Sequence, residues 1–383
     1  MQTFSEFLRA SDFSTPLARA HSATPAQINA ALHAEKFDTL EDLAALLSPQ
    51  AAPLLEPMAQ RAQRVTRAHF GKTVRLFVPL YLSNACVNNC KYCGFGTRNK
   101  FERTTISPEE AERQVEILAA HGFRSLLLVS GEHPKFANQA YIEDCITRAL
   151  KHMPSVGLEI APADVEAYRG FVAAGADSLT AFQETYHEPT YLEMHPSGPK
   201  RDFAYRLDTQ QRASLGGMRR VGLGALFGLH DWRFETLCLA AHARWLMKHC
   251  WRSAVTISLP RMRPAAGGFS PEQKNIPNDR QFTQLICALR LFLPNVGLTL
   301  STREAPQLRD HLAHIAVTQM SAGASTEPGG YSRCLKDRWE HTTHDNGEQF
   351  GVADERSPRE VARALREGGL EPVWKDFDAS LVK

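Results

Sequence analysis

Three cysteines placed close together after an apolar run constrain this chain more than any other feature. Cys86, Cys90 and Cys93 stand at C-x3-C-x2-C spacing, directly behind Val74 to Leu82, which reads as a buried strand. A strand that empties into a tight loop places three thiolates at one end of a sheet. A closed tetrahedral zinc site takes four protein ligands, usually as two pairs. A four-iron, four-sulphur (4Fe-4S) cluster held by three thiolates keeps one iron open to a molecule that is not protein. On spacing alone two other readings stay open, a zinc loop completed by a distant fourth ligand and ordinary loop thiols. Tyr92 sets an aromatic ring before the last cysteine, and Gly94 after it suits a backbone turning closely around a cluster.

Charge and composition narrow the partners. Forty-four basic against 42 acidic side chains leave a net charge of +2 over 383 residues, so net charge implies no nucleic-acid partner. The first residues carry early charges and lack the apolar core of a signal peptide, and no apolar run approaches a membrane span. Eight cysteines in so long a chain do not make a disulfide scaffold, and thiolates suit a reducing interior. The expectation is a cytoplasmic protein without membrane or nucleic-acid contacts.

Periodicity divides the chain in three. Residues 1–72 read as a helical extension that caps the rest of the chain and carries no chemistry. Residues 73–324 alternate about eight near-continuous apolar strands with helices. Examples are Ser125–Ser130, Gly157–Ala161, Ser178–Gln183 and Gly222–Gly228 among the strands, and Pro108–His121, Phe234–His249 and Asp279–Phe292 among the helices. Short loops and doubly buried strands argue for an α/β fold, a (β/α)8 TIM-like barrel. Residues 325–383 form a polar tail, a lid or docking segment with one well-capped helix over Ser357–Glu367.

Chemistry in such barrels gathers at the carboxyl ends of the strands. Strand two ends in Gly131-Glu132, a carboxylate beside a flexible residue that suits an ammonium group. His133 reads as a loop residue. Strand four ends in Gln183-Glu184, a polar pair able to take ribose hydroxyls. The glycines Gly222, Gly224 and Gly228 fit a close backbone approach better than a dinucleotide fingerprint. Arg261, Arg263 and Arg303 end later strands, and Ser321 ends strand eight. An arginine there can grip a carboxylate through paired hydrogen bonds. For each of these charged residues a surface ion pair is the plainer alternative. Cys145, Cys238, Cys250 and Cys287 sit in apolar helical patterns as core residues, and Cys334 stands alone in the tail.

The cysteine spacing with its preceding aromatic resembles the radical S-adenosylmethionine superfamily. Nearly the whole length resembles the 2-iminoacetate synthase family, most tellingly at Pro79-Leu-Tyr81-Leu-Ser-Asn84-Ala-Cys86, Phe182-Gln-Glu-Thr-Tyr186, Ser258-Leu-Pro-Arg-Met-Arg263 and Leu300-Ser-Thr-Arg303-Glu304. That resemblance implies a lyase. A reduced cluster cleaves S-adenosylmethionine to a 5′-deoxyadenosyl radical, and L-tyrosine is split at Cα–Cβ into p-cresol and 2-iminoacetate for thiamine thiazole synthesis. It implies Cys86, Cys90 and Cys93 as cluster ligands and Glu132 on the amino group of S-adenosylmethionine. Arg303 and Ser321 would lie on the substrate carboxylate, with Tyr81 beside that carboxylate or the amine. Tyr92, Gln183, Glu184 and Arg261 are further cofactor contacts. The implied partners are a thiazole synthase and a flavodoxin-type electron donor.

Three relatives compete. A tryptophan lyase shares the barrel and the carboxylate grip. The tyrosine lyase of hydrogenase maturation carries a second C-terminal cluster, for which this tail has only Cys334. A deazaflavin-forming synthase is less similar. From another class, a non-catalytic iron–sulphur or zinc-binding protein is the remote alternative.

Overall fold

The apolar runs become strands that pair in parallel around a closed ring. They are β1 (Thr73–Ser83), β2 (Ser125–Ser130), β3 (Ser155–Glu159), β4 (Ser178–Thr180), β5 (Arg220–Gly224), β6 (Ala254–Ser258), β7 (Gly297–Leu300) and β8 (Gln319–Ser321). β1 pairs with β2 at Val78↔Leu126 and with β8 at Leu76↔Met320, which closes the barrel. This is the (β/α)8 TIM-like fold expected from the sequence. The computed structural model describes residues 2–263, 265, 268–335, 338–340 and 347–375.

Side chains alternate along each strand with period two. On β1, Val74, Leu76, Val78, Leu80 and Leu82 are fully buried in the core shared with the helices. Arg75, Phe77, Pro79 and Tyr81 face the barrel interior. Large branched residues normally fill such an interior. Here Ser178, Thr180, Thr256, Ser258, Thr299 and Ser301 point inward, and they are too small to do so. Gly222 leaves no room for more, because a Cβ there would stand 2.6 Å from Thr180 Oγ1. The result is an inner cavity that opens at the carboxyl ends of the strands.

The N-terminal helices Phe4–Ala10, Ser14–Ser22, Leu40–Leu47 and Leu55–Phe70 pack against the barrel helices Trp232–His249 and Asp279–Phe292, and Pro25–His33 packs on Leu40–Leu47. They brace the flank of the barrel and contribute no residue to its cavities. Between β4 and β5 the chain makes an excursion that periodicity does not foretell. Short helices over Glu188–Met194 and Phe203–Leu207 precede a third, Thr209–Leu215.

The tail is built into the barrel. β9 (Glu371–Val373) pairs in parallel with the start of β1 at Thr73↔Glu371. Nearer the mouth, the amides of Ala353 and Asp354 donate to the Thr302 carbonyl at 2.9 and 3.0 Å. Asp354 is fully buried against the fully buried Arg309, whose guanidinium also donates to the Ser321 carbonyl. Arg356 adds a second cation on Asp354 at 2.7 Å. Removing one partner of a buried ion pair strands the other charge away from water. Asp354→Ala is therefore expected to lower stability by about 3 to 5 kcal/mol, read as a fall in the urea unfolding midpoint. An unchanged midpoint would show that this pair does not pin the tail.

Candidate active site

The cysteines lie on residues 84–97, which have no regular secondary structure, so their backbone carbonyls need other donors. Arg103 supplies them. Its guanidinium donates to the carbonyls of Asn84 and Phe95 at 2.8 Å, Gly96 at 2.9 Å and Asn99 at 3.1 Å. Asn84 Oδ1 accepts from the Thr104 amide at 2.7 Å and closes the base of the loop. The far side is tied to the excursion after β4, with Lys91 N donating to Met194 O at 3.0 Å and Lys200 N donating to Asn88 Oδ1 at 2.8 Å. The neighbouring end of β2 must be glycine, since a Cβ on Gly131 would collide with the Ala85 carbonyl.

All three thiols line an outer cavity at the barrel mouth. Asn88 Nδ2 lies 3.7 Å from Cys86 Sγ, and Gln349 Nε2 lies 3.9 Å from Cys93 Sγ. Burial pushes the Cys90 and Cys93 thiols upward. A thiolate at either position thus needs a cation in place of its proton, which iron supplies. Among the described residues, no three His, Cys, Asp or Glu side chains gather as a single metal ion would require. The three thiols along one wall suit the separate irons of a cluster instead.

Across from the thiols sits a charge network of two acids and two bases. Glu132 accepts from Asn88 Nδ2 at 2.7 Å and from Arg206 at 2.8 Å. Glu184 accepts from Lys200 Nζ at 2.7 Å. Burial alone would raise the Glu184 carboxyl, but the Lys200 and Arg206 charges outweigh it and hold it below the usual carboxylate range. Glu184 also sits at φ 71°, the left-handed region that a non-glycine residue rarely adopts. Its backbone is fixed there by the Leu226 amide, which donates to its carbonyl at 2.7 Å. Tyr92 places its ring on the same cavity. His195 Nδ1 faces the Tyr191 carbonyl at 2.7 Å, which assigns its proton to Nδ1 and leaves Nε2 to accept from the Tyr92 hydroxyl at 2.7 Å. Burial, then the Lys200 charge, holds that imidazole neutral with a pKa of about 3.

The inner cavity is walled by inward-facing residues of all eight strands and opens at their carboxyl ends. Its upper rim carries Tyr81, Glu159, Arg303 and Ser321. Tyr81 donates its hydroxyl to Gln349 Oε1 at 2.8 Å, so Gln349 links this cavity to Cys93. Burial and then the Glu159 charge keep the phenol protonated. Arg303 lays its guanidinium 3.2 Å from the Phe350 ring centroid and forms no ion pair among the described residues. Ser321 Oγ accepts from the Thr302 amide at 3.1 Å and keeps its own proton for the cavity.

The expected residues divide accordingly. Cys86, Cys90, Cys93, Tyr92, Glu132 and Glu184 come together on the outer cavity, and Tyr81, Arg303 and Ser321 on the inner one. Arg261 and Gln183 line neither cavity. Arg261 is drawn away by Glu304, Asp279 at 2.8 Å and the Pro277 carbonyl at 3.0 Å. The polar contact near it comes from Arg263 instead, which lines the outer cavity and reaches Glu304 at 3.1 Å. Gln183 is buried outside the cavity wall, and neither side-chain amide atom has a partner among the described residues. Sequence reasoning missed Lys200, Arg206, Gln349, Phe350 and Glu159. A lysine and an arginine six residues apart within the excursion were the signal available for the first two.

A parallel barrel with three thiols at its mouth and a balanced charge network beside them defines a radical S-adenosylmethionine enzyme. The sequence matches the Radical SAM superfamily model over residues 80–239 and the Biotin and Thiamin Synthesis associated domain over residues 258–371. It is 41% identical to the 2-iminoacetate synthases of Salmonella typhimurium and Escherichia coli, covering all of this chain and 98% of each relative. The chain belongs to the 2-iminoacetate synthase family: it is a carbon–carbon lyase that cleaves L-tyrosine at Cα–Cβ, using a 4Fe-4S cluster and S-adenosylmethionine. Among solved structures, the FeFe-hydrogenase maturase HydG superposes with a TM-score of 0.88 at 35% identity, over 97% of this chain and 81% of that one. Methylornithine synthase shares the fold, at a TM-score of 0.69 and 20% identity.

The thiols fit the cluster, so cluster loading should depend on each of them. Cys90→Ala is expected to emerge from anaerobic iron–sulphide reconstitution without the brown absorbance of the parent. A brown variant with full iron content would remove Cys90 from the ligand set.

Proposed function

We propose that the two cavities divide the reaction between them. The outer cavity takes S-adenosylmethionine beside a cluster on Cys86, Cys90 and Cys93, with Glu132 toward its amino group. Lys200 and Arg206 supply positive charge for its carboxylate, while Glu184 and Tyr92 complete the wall. The inner cavity takes L-tyrosine, with its carboxylate on Arg303 and Ser321 and Tyr81 beside it. The observation that carries this assignment is the Arg303 guanidinium, which has no carboxylate partner among the described residues and faces the inner cavity. The cluster, when bound and reduced, supplies the electron that releases a carbon radical from S-adenosylmethionine. What the chain contributes is enclosure. Tyr81, Phe350 and Gln349 exclude water from the space between the cavities and fix one substrate orientation.

A thiazole synthase as acceptor and a flavodoxin-type protein as electron donor remain part of this proposal. Their support is chemical, because an imine such as 2-iminoacetate hydrolyses in water and is best handed on directly. Residues 325–383 are proposed as both lid and docking segment. Gln349 and Phe350 already line the site, so docking is tested on the exposed face of helix Pro358–Glu367 rather than by deleting the tail. No helix among the described residues is long and apolar enough to cross a membrane. All eight cysteines are unpaired, which supports a reducing, cytoplasmic setting.

Product analysis tests the assignment. Reconstituted enzyme given S-adenosylmethionine, reductant and tyrosine is expected to release p-cresol, 5′-deoxyadenosine and glyoxylate from hydrolysed 2-iminoacetate, and no indole product from tryptophan. Arg303→Met should lower p-cresol kcat/KM by about 100-fold or more, while uncoupled 5′-deoxyadenosine formation persists. Equal loss of both products would place Arg303 on the cofactor instead.

A further inference from the structure

Among the described residues two charged side chains line both cavities, and they have opposite sign: Arg303, just after β7, and Glu159 at the end of β3. Glu159 stands level with Val129 of β2, pointing inward like Gly157 two residues before it. No donor among the described residues reaches its carboxylate, and it forms no ion pair with Arg303. Burial and then the Glu184 charge push its carboxyl up to about 7, with Arg303 the largest influence in the other direction. A carboxylate in a cavity wall without a partner is unfavourable until a cation arrives.

We propose that Glu159 binds the α-ammonium of the substrate opposite the Arg303–carboxylate contact, so that the two side chains clamp a zwitterion and restrict the site to α-amino acids. The proposal rests on the reading that Arg303 takes the substrate carboxylate. Its logic is complementary charge held apart. Glu159 and Arg303 do not neutralise each other directly, and an α-amino acid is the smallest ligand whose two charges satisfy both at once. Lys200 and Arg206 do not compete for Glu159, because each is already bonded to Glu184 or Glu132. A ligand lacking the amine leaves Glu159 unpaired, and a buried polar group left without its partner is a strong means of rejection.

The test is equilibrium binding to the reconstituted holoenzyme with S-adenosylmethionine present and no reductant. The probes are L-tyrosine and 3-(4-hydroxyphenyl)propanoate, which is tyrosine without its amino group. The parent enzyme is expected to favour tyrosine by about 100-fold or more. Glu159→Gln should weaken tyrosine by about 30-fold and leave the desamino acid unchanged or bound more tightly, because the unpaired charge is gone. A purely structural role would weaken both ligands together, and that outcome overturns the proposal. Loss of S-adenosylmethionine binding with tyrosine affinity intact would also overturn it by assigning Glu159 to the cofactor. Equal binding of the two ligands by the parent overturns it with no variant needed. Arg303→Met separates the underlying reading: it should weaken both ligands, and if it weakens neither, the carboxylate assignment fails on its own.

Discussion

Ionised side chains held away from water govern the mouth of this barrel. Each charge there must be matched within a few ångströms, because an unmatched one costs several kcal/mol. Glu132, Glu184, Lys200 and Arg206 achieve this by alternating sign in a row: Arg206 reaches Glu132 at 2.8 Å and Glu184 at 3.9 Å, and Lys200 reaches Glu184 at 2.7 Å. Their balance lets the segment after β4 pack on the cysteine loop, whose position then depends on the Asn88, Lys91 and Arg103 contacts. Glu159 and Arg303 are built differently. They balance in sign but make no direct pair, so the first set holds the protein together while the second faces open space.

The same requirement explains the strain at Glu184. A left-handed backbone at a side chain with a Cβ is unfavourable by about 1 to 2 kcal/mol. The ion pair to Lys200 and the Leu226 hydrogen bond offset it. Small inward residues act in parallel. Ser178, Thr180, Thr256 and Ser258 give up the dense filling that stabilises most such barrels and leave room for a ligand. Stability comes instead from the outer layer, where alternate residues of β1 are fully buried against helices.

Periodicity made the barrel legible, because strands buried on both faces leave continuous apolar runs and helices leave capped amphipathic ones. Cysteine spacing did the same for the cluster loop, and strand-end position did so for Glu132, Arg303 and Ser321. Strand-end position also misleads. Arg261 ends its strand as Arg303 does, yet Glu304, on the loop after β7, takes it up. Lys200 and Arg206 lie on an irregular excursion with no periodic signature, so nothing local marks them as lining the outer cavity. Gln349 and Glu159 were hidden for opposite reasons. The first reaches the site only through the return of a polar tail, and the second lies inside the expected strand Gly157–Ala161, where nothing local shows which face it takes until its neighbours are placed.

The return of the tail ties the chemistry to the completeness of the fold. Gln349 hydrogen-bonds Tyr81 and approaches Cys93, while its carbonyl accepts from the Gly94 amide at 3.2 Å, where a Cβ on Gly94 would lie only 2.7 Å from that oxygen. Phe350 covers the Arg303 guanidinium from the same stretch of chain. Residues more than 250 positions apart in sequence therefore make one wall. A radical reacts with whatever lies near it, and an imine product is lost to water. Both hazards fall when the inner cavity and the cysteine loop share one buried partition. The Asp354–Arg309 pair fixes the end of that partition, so a salt bridge that lines neither cavity bears on how well the site stays dry.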